Sequence, residues 1–342
     1  MALSPLPDKN ALQPRYRRLL GVGALLDESV RLFRERWRSF AVVSAVALLP
    51  FGILSVGVSV GLAAVGTAIA SQPVRVYSLS ALATPQVVYG TLGVFVLLGL
   101  VGLIDSLLWT AALTRTTDAY LHAEQPSVRG VYGLAVRRLL ALVGGSLLLM
   151  LAAAILTLAA TLLFVVTGFG LLGSIVALVG LLAWWRKPDV RKPWLKWLIV
   201  LAAPFGLPTY LLVRWSMFVP SVVVEGHGPI GALRRSSELV RGEWFRAASV
   251  LGVASLIVLV LASAPAYLVS IPLGVIDVAR GNYGADLVGL ALRNGVSIVC
   301  QVLFASIGTI AYTLLFIDLR NRREGTDLAE RLQQIEAPSL RS

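Results

Sequence analysis

The sequence predicts an all-α integral membrane protein of about six transmembrane helices, built as three repeats of an amphipathic interfacial helix plus a helical hairpin. Three observations lead there. The 342 residues are 57% hydrophobic and 14% charged, with a mean hydropathy of +0.81. Long charge-poor runs in such a chain mark bilayer spans rather than a soluble core. The net charge of +12 is mostly Arg, clustered beside the apolar runs in the way the positive-inside rule describes. Finally, one pattern, a basic amphipathic helix feeding an apolar run, recurs along the chain.

Composition also narrows the partners. Basicity is shared by nucleic-acid binders, but no soluble basic module is present to do that work, so no nucleic-acid partner is expected. Anionic lipid headgroups are the expected partners, with a protein partner or a second copy of the chain as the other class. Cys300 is the one cysteine and sits in an apolar run, which leaves no internal disulfide and no cysteine metal cluster. No cofactor is expected. The N-terminus does not read as a cleavable signal, because the first apolar run begins near Phe40 behind a long basic segment.

Taken in order, residues 1–20 read as a disordered tail, with Pro5, Pro7 and Pro14 preventing a helix. A polytopic helical domain then occupies 21–320. From Val22 to Trp37, the positions Leu25, Leu26, Ser29, Leu32, Phe33 and Trp37 share one helical face, with Asp27, Glu28, Arg31, Arg34, Glu35 and Arg38 opposite. That pattern predicts a helix lying in the headgroup region, apolar face down.

Spans are expected at about 40–70, 88–113, 139–166, 198–224, 247–275 and 287–317. Pro50 is expected to kink the first. The loops at 71–87 and 276–286 hold one cation each, Arg75 and Arg280. Residues 167–197 form an insert that does not cross. If 171–185 did cross, there would be seven spans and the Arg214–Arg246 loop would change sides. The 321–342 tail is polar, and Asp327 with Glu330 suits a capping box ahead of a short helix bearing Leu328, Leu332 and Ile335.

The repeat is carried by GALLDESVRLFRERWRSF (23–40) against GALRRSSELVRGEWFR (231–246), with a weaker copy in SVRGVYGLAVRRLLALVGG (127–145). Three hairpins put both termini on one side. The N-terminal segment, the 115–138 and 225–246 loops and the tail hold most of the 30 Lys and Arg residues, which places all four in the cytoplasm.

RWSMFVPSVVVEG (214–226), GALRRSSELVRGEW (231–244) and FIDLRNRREGTDL (316–328) in that order resemble the membrane domain of bacterial glycerophosphoryl diester phosphodiesterases and its stand-alone relatives. The likeness covers about 22–330, with 166–196 as an addition. It implies a helical membrane domain of about six spans, and most stand-alone members have no established activity. The family's enzymes carry their chemistry in a separate soluble barrel using His, Glu, Asp and a divalent metal. No stretch of this chain has the length and polarity for that barrel, so no catalytic residue is carried over and the enzyme name is not transferred.

The candidate sites are polar groups at the membrane surface or within spans. Arg214, Arg234, Arg235, Ser236, Arg241 and Arg246 offer cations and hydroxyls to lipid phosphate, although a solvated positive-inside face reads equally well. Asp105 is the deepest carboxylate. Either it is an ion or proton site, or it staples a neighbouring helix. Arg214 and Glu225 bracket Pro220, and Arg214 is expected to bond to Asp318, Asp105 or a lipid phosphate. Asp318 and Arg320 are expected to pair with the Arg234–Arg246 helix. His122 and His227 lack further ligands at metal spacing. The leading expectation is a non-enzymatic scaffold or accessory subunit; a transporter, channel or lipid-handling protein with a polar path near Asp105 and Arg214 is the alternative.

Overall fold

A computed structural model describes residues 20–70, 85–167, 203–279 and 287–324. The expected N-terminal tail, nearly all of the 71–87 and 276–286 loops and of the 167–197 insert, and the tail's capping box and short helix lie outside the described residues. Among the described residues there are helices and turns but no strands. In chain order the helices are α1 (Val22–Ala70), α2 (Pro85–Leu121), α3 (Val128–Arg137), α4 (Leu139–Thr167), α5 (Ala203–Arg214), α6 (Phe218–Val223), α7 (Pro229–Val240), α8 (Trp244–Ala279) and α9 (Leu287–Glu324). Five of them, α1, α2, α4, α8 and α9, contain stretches long and apolar enough to cross a bilayer. The chain is an all-α, membrane-embedded protein.

The chain divides into two compact units, 1–139 with 249–342, and 140–248. In the first, α1 and α9 run in opposite directions. The Leu20 amide meets Asp318, the Phe33 and Phe304 rings lie 6.5 Å apart, and Gly52 sits against Ile298. A Cβ on Gly52 would come within 2.9 Å of the Ile298 side chain, so the absent side chain is what lets the two helices close. Gly102 of α2 does the same beneath Phe51 of α1. Trp109 of α2 donates its indole N–H to Ser44 at 3.2 Å, and Tyr120 packs edge-on to Phe40.

The buried core of this unit gathers at the arginine-rich ends of the helices. Leu25, Leu32, Phe40, Leu113, Leu121, Ile310, Phe316 and Leu319 are all buried. The apolar stretches farther along are bare instead, with Phe95 58% and Leu97 63% exposed on α2 and Leu268 72% exposed on α8. These side chains suit lipid contact. At 37 residues α2 is roughly 55 Å long, well beyond a ~30 Å hydrocarbon core, so its packed C-terminal third can stand outside the bilayer.

Two expectations change here. The face of Leu25, Ser29 and Leu32 is not laid on headgroups: it is buried within the protein, while Trp37 stays 46% exposed. The amphipathic segment and the first span form one helix, and the residue with non-helical dihedrals inside it is Arg36 (φ −130°, ψ 21°) rather than Pro50. Arg36 leaves the helical conformation where the charged stretch meets the apolar one.

In the second unit the expected span at 198–224 is not one helix. α5 ends at Arg214, a turn follows, and α6 begins at Phe218. Pro220 explains the restart. It has no N–H for the Ser216 carbonyl, and a new helix from Phe218 puts it in a first turn, where N–H groups have no intrahelical partner anyway. All six residues of α6 are buried, along with Met217, Leu142, Ala232, Leu233, Leu239 and Val240. Gly145 of α4 admits the Phe218 ring, which would lie 3.1 Å from a Cβ placed there. α7 opens with Pro229 at its first position and ends ahead of Gly242, whose φ of +90° favours glycine.

The packing pattern predicts unequal costs along one helix. Leu113→Ala should lower stability by about 2–5 kcal/mol, as for a fully buried leucine. Leu97→Ala should cost well under half of that. Thermal unfolding of the two variants in one detergent measures both.

Candidate functional site

The second unit assembles a basic cluster around the break between α5 and α6. Arg214, the last residue of α5, donates its Nε–H to the Ser237 hydroxyl at 2.6 Å. Its guanidinium lies 6.0 Å from the centre of the Tyr210 ring, one helical turn back. Tyr210 stacks on Trp244 with centroids 5.8 Å apart, and the Trp244 indole N–H donates to the Tyr210 carbonyl at 3.2 Å. Among the described residues Arg214 has no carboxylate partner. Its remaining donors, set beside a hydroxyl and two aromatic rings, are the chemistry that an anionic headgroup at a membrane surface would meet.

The neighbouring candidates have other duties. Glu225 does not pair with Arg214. It takes a two-pronged hydrogen bond from Arg235, with both contacts at 3.0 Å, and lies 3.2 Å from His227 Nδ1. The Gly226–Gly228 turn brings α7 back over α6 and sets Arg235 opposite Glu225, whereas along an unbroken helix Arg214 would lie about three turns away, too far to pair.

Ser236, expected among the lipid-facing groups, is fully buried. Its hydroxyl donates to the Arg214 carbonyl and accepts from the Met217 N–H, both at 3.0 Å. Those are backbone groups left over by the helix break, so Ser236 seals the break and offers nothing to a ligand. Arg234 is 83% exposed and paired with Glu238 at 3.2 Å, a surface contact worth at most about 0.5 kcal/mol. Arg241 is exposed at the end of α7, and Arg246 is half-buried in the first turn of α8.

The first unit holds the other polar candidates. Asp318 is buried near the end of α9 and pairs within its own helix, accepting from Arg322 Nε at 2.9 Å. It also accepts from the Leu20 N–H at 3.0 Å, while Arg322 donates to the Leu20 carbonyl at 3.2 Å. One carboxylate thus fixes the start of α1 to the end of α9. Arg320 lies over the Phe316 ring at 6.0 Å. Asp318→Ala would take the carboxylate partner from a half-buried N–H and a half-buried guanidinium, and should cost about 3 kcal/mol in an unfolding titration.

Asp105 is half-buried on α2 and, among the described residues, makes no hydrogen bond or ion pair. The expected staple is absent from them. Tyr132 of α3 lies near enough to feel its charge, yet donates its hydroxyl to the Val43 carbonyl at 2.7 Å. Burial first, and the Asp105 carboxylate second, push the Tyr132 hydroxyl up to about 12, against a smaller opposing effect of the Ala47 backbone. Ionisation is therefore disfavoured in the fold. The contribution is intact below pH 10, where an unfolded tyrosine is still neutral, and is lost as pH rises from 10 towards 12. Absorbance titration of wild type against Tyr132→Phe should show the difference as one tyrosinate appearing last.

Sequence reasoning missed Asp118. It is buried at the end of α2, 2.6 Å from Arg115 Nη1, and its Oδ1 lies 3.5 Å from His122 Nδ1. The spacing of Arg115, Asp118 and His122 on one helical face was the available signal. Each histidine thus sits beside a carboxylate, and among the described residues no three His, Cys, Asp or Glu side chains gather as metal ligands. Tyr210 and Trp244 were missed as well, because only the fold sets them 34 residues apart in sequence and ring to ring.

Compared with protein-family models, curated proteins and solved structures, the chain matches none. What the described residues define is a class: a membrane-embedded protein of long apolar helices whose packed, charged ends form its polar sites.

Proposed function

We propose that this chain is a non-enzymatic polytopic protein of the bacterial cytoplasmic membrane, a scaffold or accessory subunit that grips anionic lipid headgroups through its basic helices. The observation that carries the reading is Arg214, fixed by Ser237, beside the stacked Tyr210 and Trp244, with no carboxylate among the described residues to neutralise it. Aromatic rings and arginine together are the usual furniture of a membrane interface.

Three junctions of a short basic helix with a long apolar one support the three-unit arrangement: the kink at Arg36, the step from α3 to α4, and the step from α7 to α8. In this reading six spans alternate, both termini are cytoplasmic, and the fourth span draws on residues before Ala203. The likeness to the glycerophosphodiesterase membrane domain belongs to the same proposal. A second reading, ion or lipid transport, is favoured by Asp105, half-buried in an apolar helix without a bonding partner among the described residues.

Arg214→Gln tests the first reading. Losing one near-surface cation, worth about 1 kcal/mol, should weaken retention of phosphatidylglycerol by about fivefold. Native mass spectrometry of the purified protein measures it, with Arg234→Gln as the control that should change little. Equal retention by wild type and Arg214→Gln would sink the lipid-gripping role. Flux lost in Asp105→Asn vesicles would favour the second reading.

A further inference from the structure

A second basic surface lies on α3, apart from the Arg214 cluster. Arg129, Gly133 and Arg137 recur every fourth residue, so they form one stripe on that helix. Together with Gly130, Leu134 and Arg138 they line a groove of about 550 Å³, within the roughly 300–1,000 Å³ range of ligand clefts. Among the described residues, Arg129 and Arg137 make no hydrogen bond or ion pair.

The two glycines open the groove for different reasons. A Cβ on Gly130 would strike the Ser127 hydroxyl, which caps α3, at 2.8 Å. Gly133 has no such conflict, for its Cβ would meet nothing within 4 Å. A glycine in mid-helix costs roughly 1 kcal/mol relative to alanine, and here packing does not demand it. What Gly133 leaves is space between two guanidinium groups.

The surroundings say what fills that space. α3 runs directly into α4, and the bilayer-length apolar stretch begins at Leu139, immediately after Arg137 and Arg138. The arginines therefore stand at the level where an apolar span gives way to headgroups. On the same helix Val136 is a large apolar side chain left 57% exposed. Cations over a cleft, with a bare aliphatic side chain on the same helix, match a molecule that is anionic at one end and hydrocarbon at the other.

We propose that the α3 groove holds the phosphate of an anionic phospholipid between Arg129 and Arg137, with Val136 of the same helix against its acyl chains. Gly133 keeps the space open. The site goes beyond the Arg214 cluster and does not depend on it.

The test uses the full chain in mixed micelles containing a photoactivatable phosphatidylglycerol, with the cross-linked peptide identified by mass spectrometry. Wild type should be labelled on α3, at or next to Val136. Gly133→Leu fills the groove while keeping every charge and raising helix propensity, and should cut that labelling by tenfold or more. Arg129→Gln with Arg137→Gln should cut it about 25-fold, at about fivefold per near-surface cation. Arg214→Gln should leave it unchanged, which separates a failure here from a failure at Arg214.

Undiminished labelling in Gly133→Leu would mean the arginines are a solvated face with no seat for a ligand, and would overturn the proposal. Equal labelling by photoactivatable phosphatidylcholine would overturn the anion claim. Displacement of the label by millimolar inorganic phosphate alone would identify free phosphate as the ligand, and would overturn the lipid claim.

Discussion

Inside a bilayer the hydrophobic effect gives one helix little reason to prefer another, because lipid tails are as apolar as leucine. That constraint is visible in where this chain puts its core. Along the apolar mid-lengths of α2, α4 and α8 the large side chains are bare, and helix contact relies on close approach at residues such as Gly52 and Gly102. Where the helices run on into the arginine-rich ends, water is the competing solvent and burial becomes worthwhile. There Phe40, Leu113, Leu121, Phe316 and Leu319 close into a packed core. The charged ends are thus where tertiary structure is strongest.

Polar groups follow the same division. Ser29, Thr116, Thr117, Asp118, Ser236, Thr313 and Asp318 are all buried, and all lie near those ends. Most have a hydrogen-bonding task that can be named. Asp318 holds Leu20 just ahead of α1, Ser236 takes up the backbone groups released by the break before Pro220, and Thr116, Thr117 and Thr313 return their hydroxyls to carbonyls one turn back. A buried group without a partner would cost more than any of these bonds contributes. Arg214, Arg129 and Arg137 are some of the arginines that the protein's own carboxylates do not neutralise among the described residues.

Much of this could be read from the sequence. Apolar run lengths located the long helices, and the charge pattern located the short amphipathic ones, because both are properties of a single segment. What could not be read depends on pairing between segments. The face of Leu25, Ser29 and Leu32 has the period of a lipid-facing helix, and nothing local tells lipid from α9. Glu225 is eleven residues from Arg214 and ten from Arg235, and only the turn at Gly226–Gly228 selects the second. The span expected at 198–224 was drawn from the length of the apolar run; Pro220 marked a break within it, but nothing local said that the chain would restart at Phe218 as a separate, fully buried helix. The polar groups of Tyr210 and Trp244 were visible as composition; their stacking was not.

The tie between Leu20 and Asp318 joins positions 298 residues apart. A ribosome adding about 5–20 residues per second needs roughly 15 to 60 s to make the second partner after the first. For that interval the inner face of α1 has no α9 to rest on, and its leucines face either the bilayer surface or a chaperone. Closure of the first unit therefore waits until α9 has been made, so a ribosome that stalls before Asp318 would leave an inserted but unfastened chain for the quality-control proteases of the membrane.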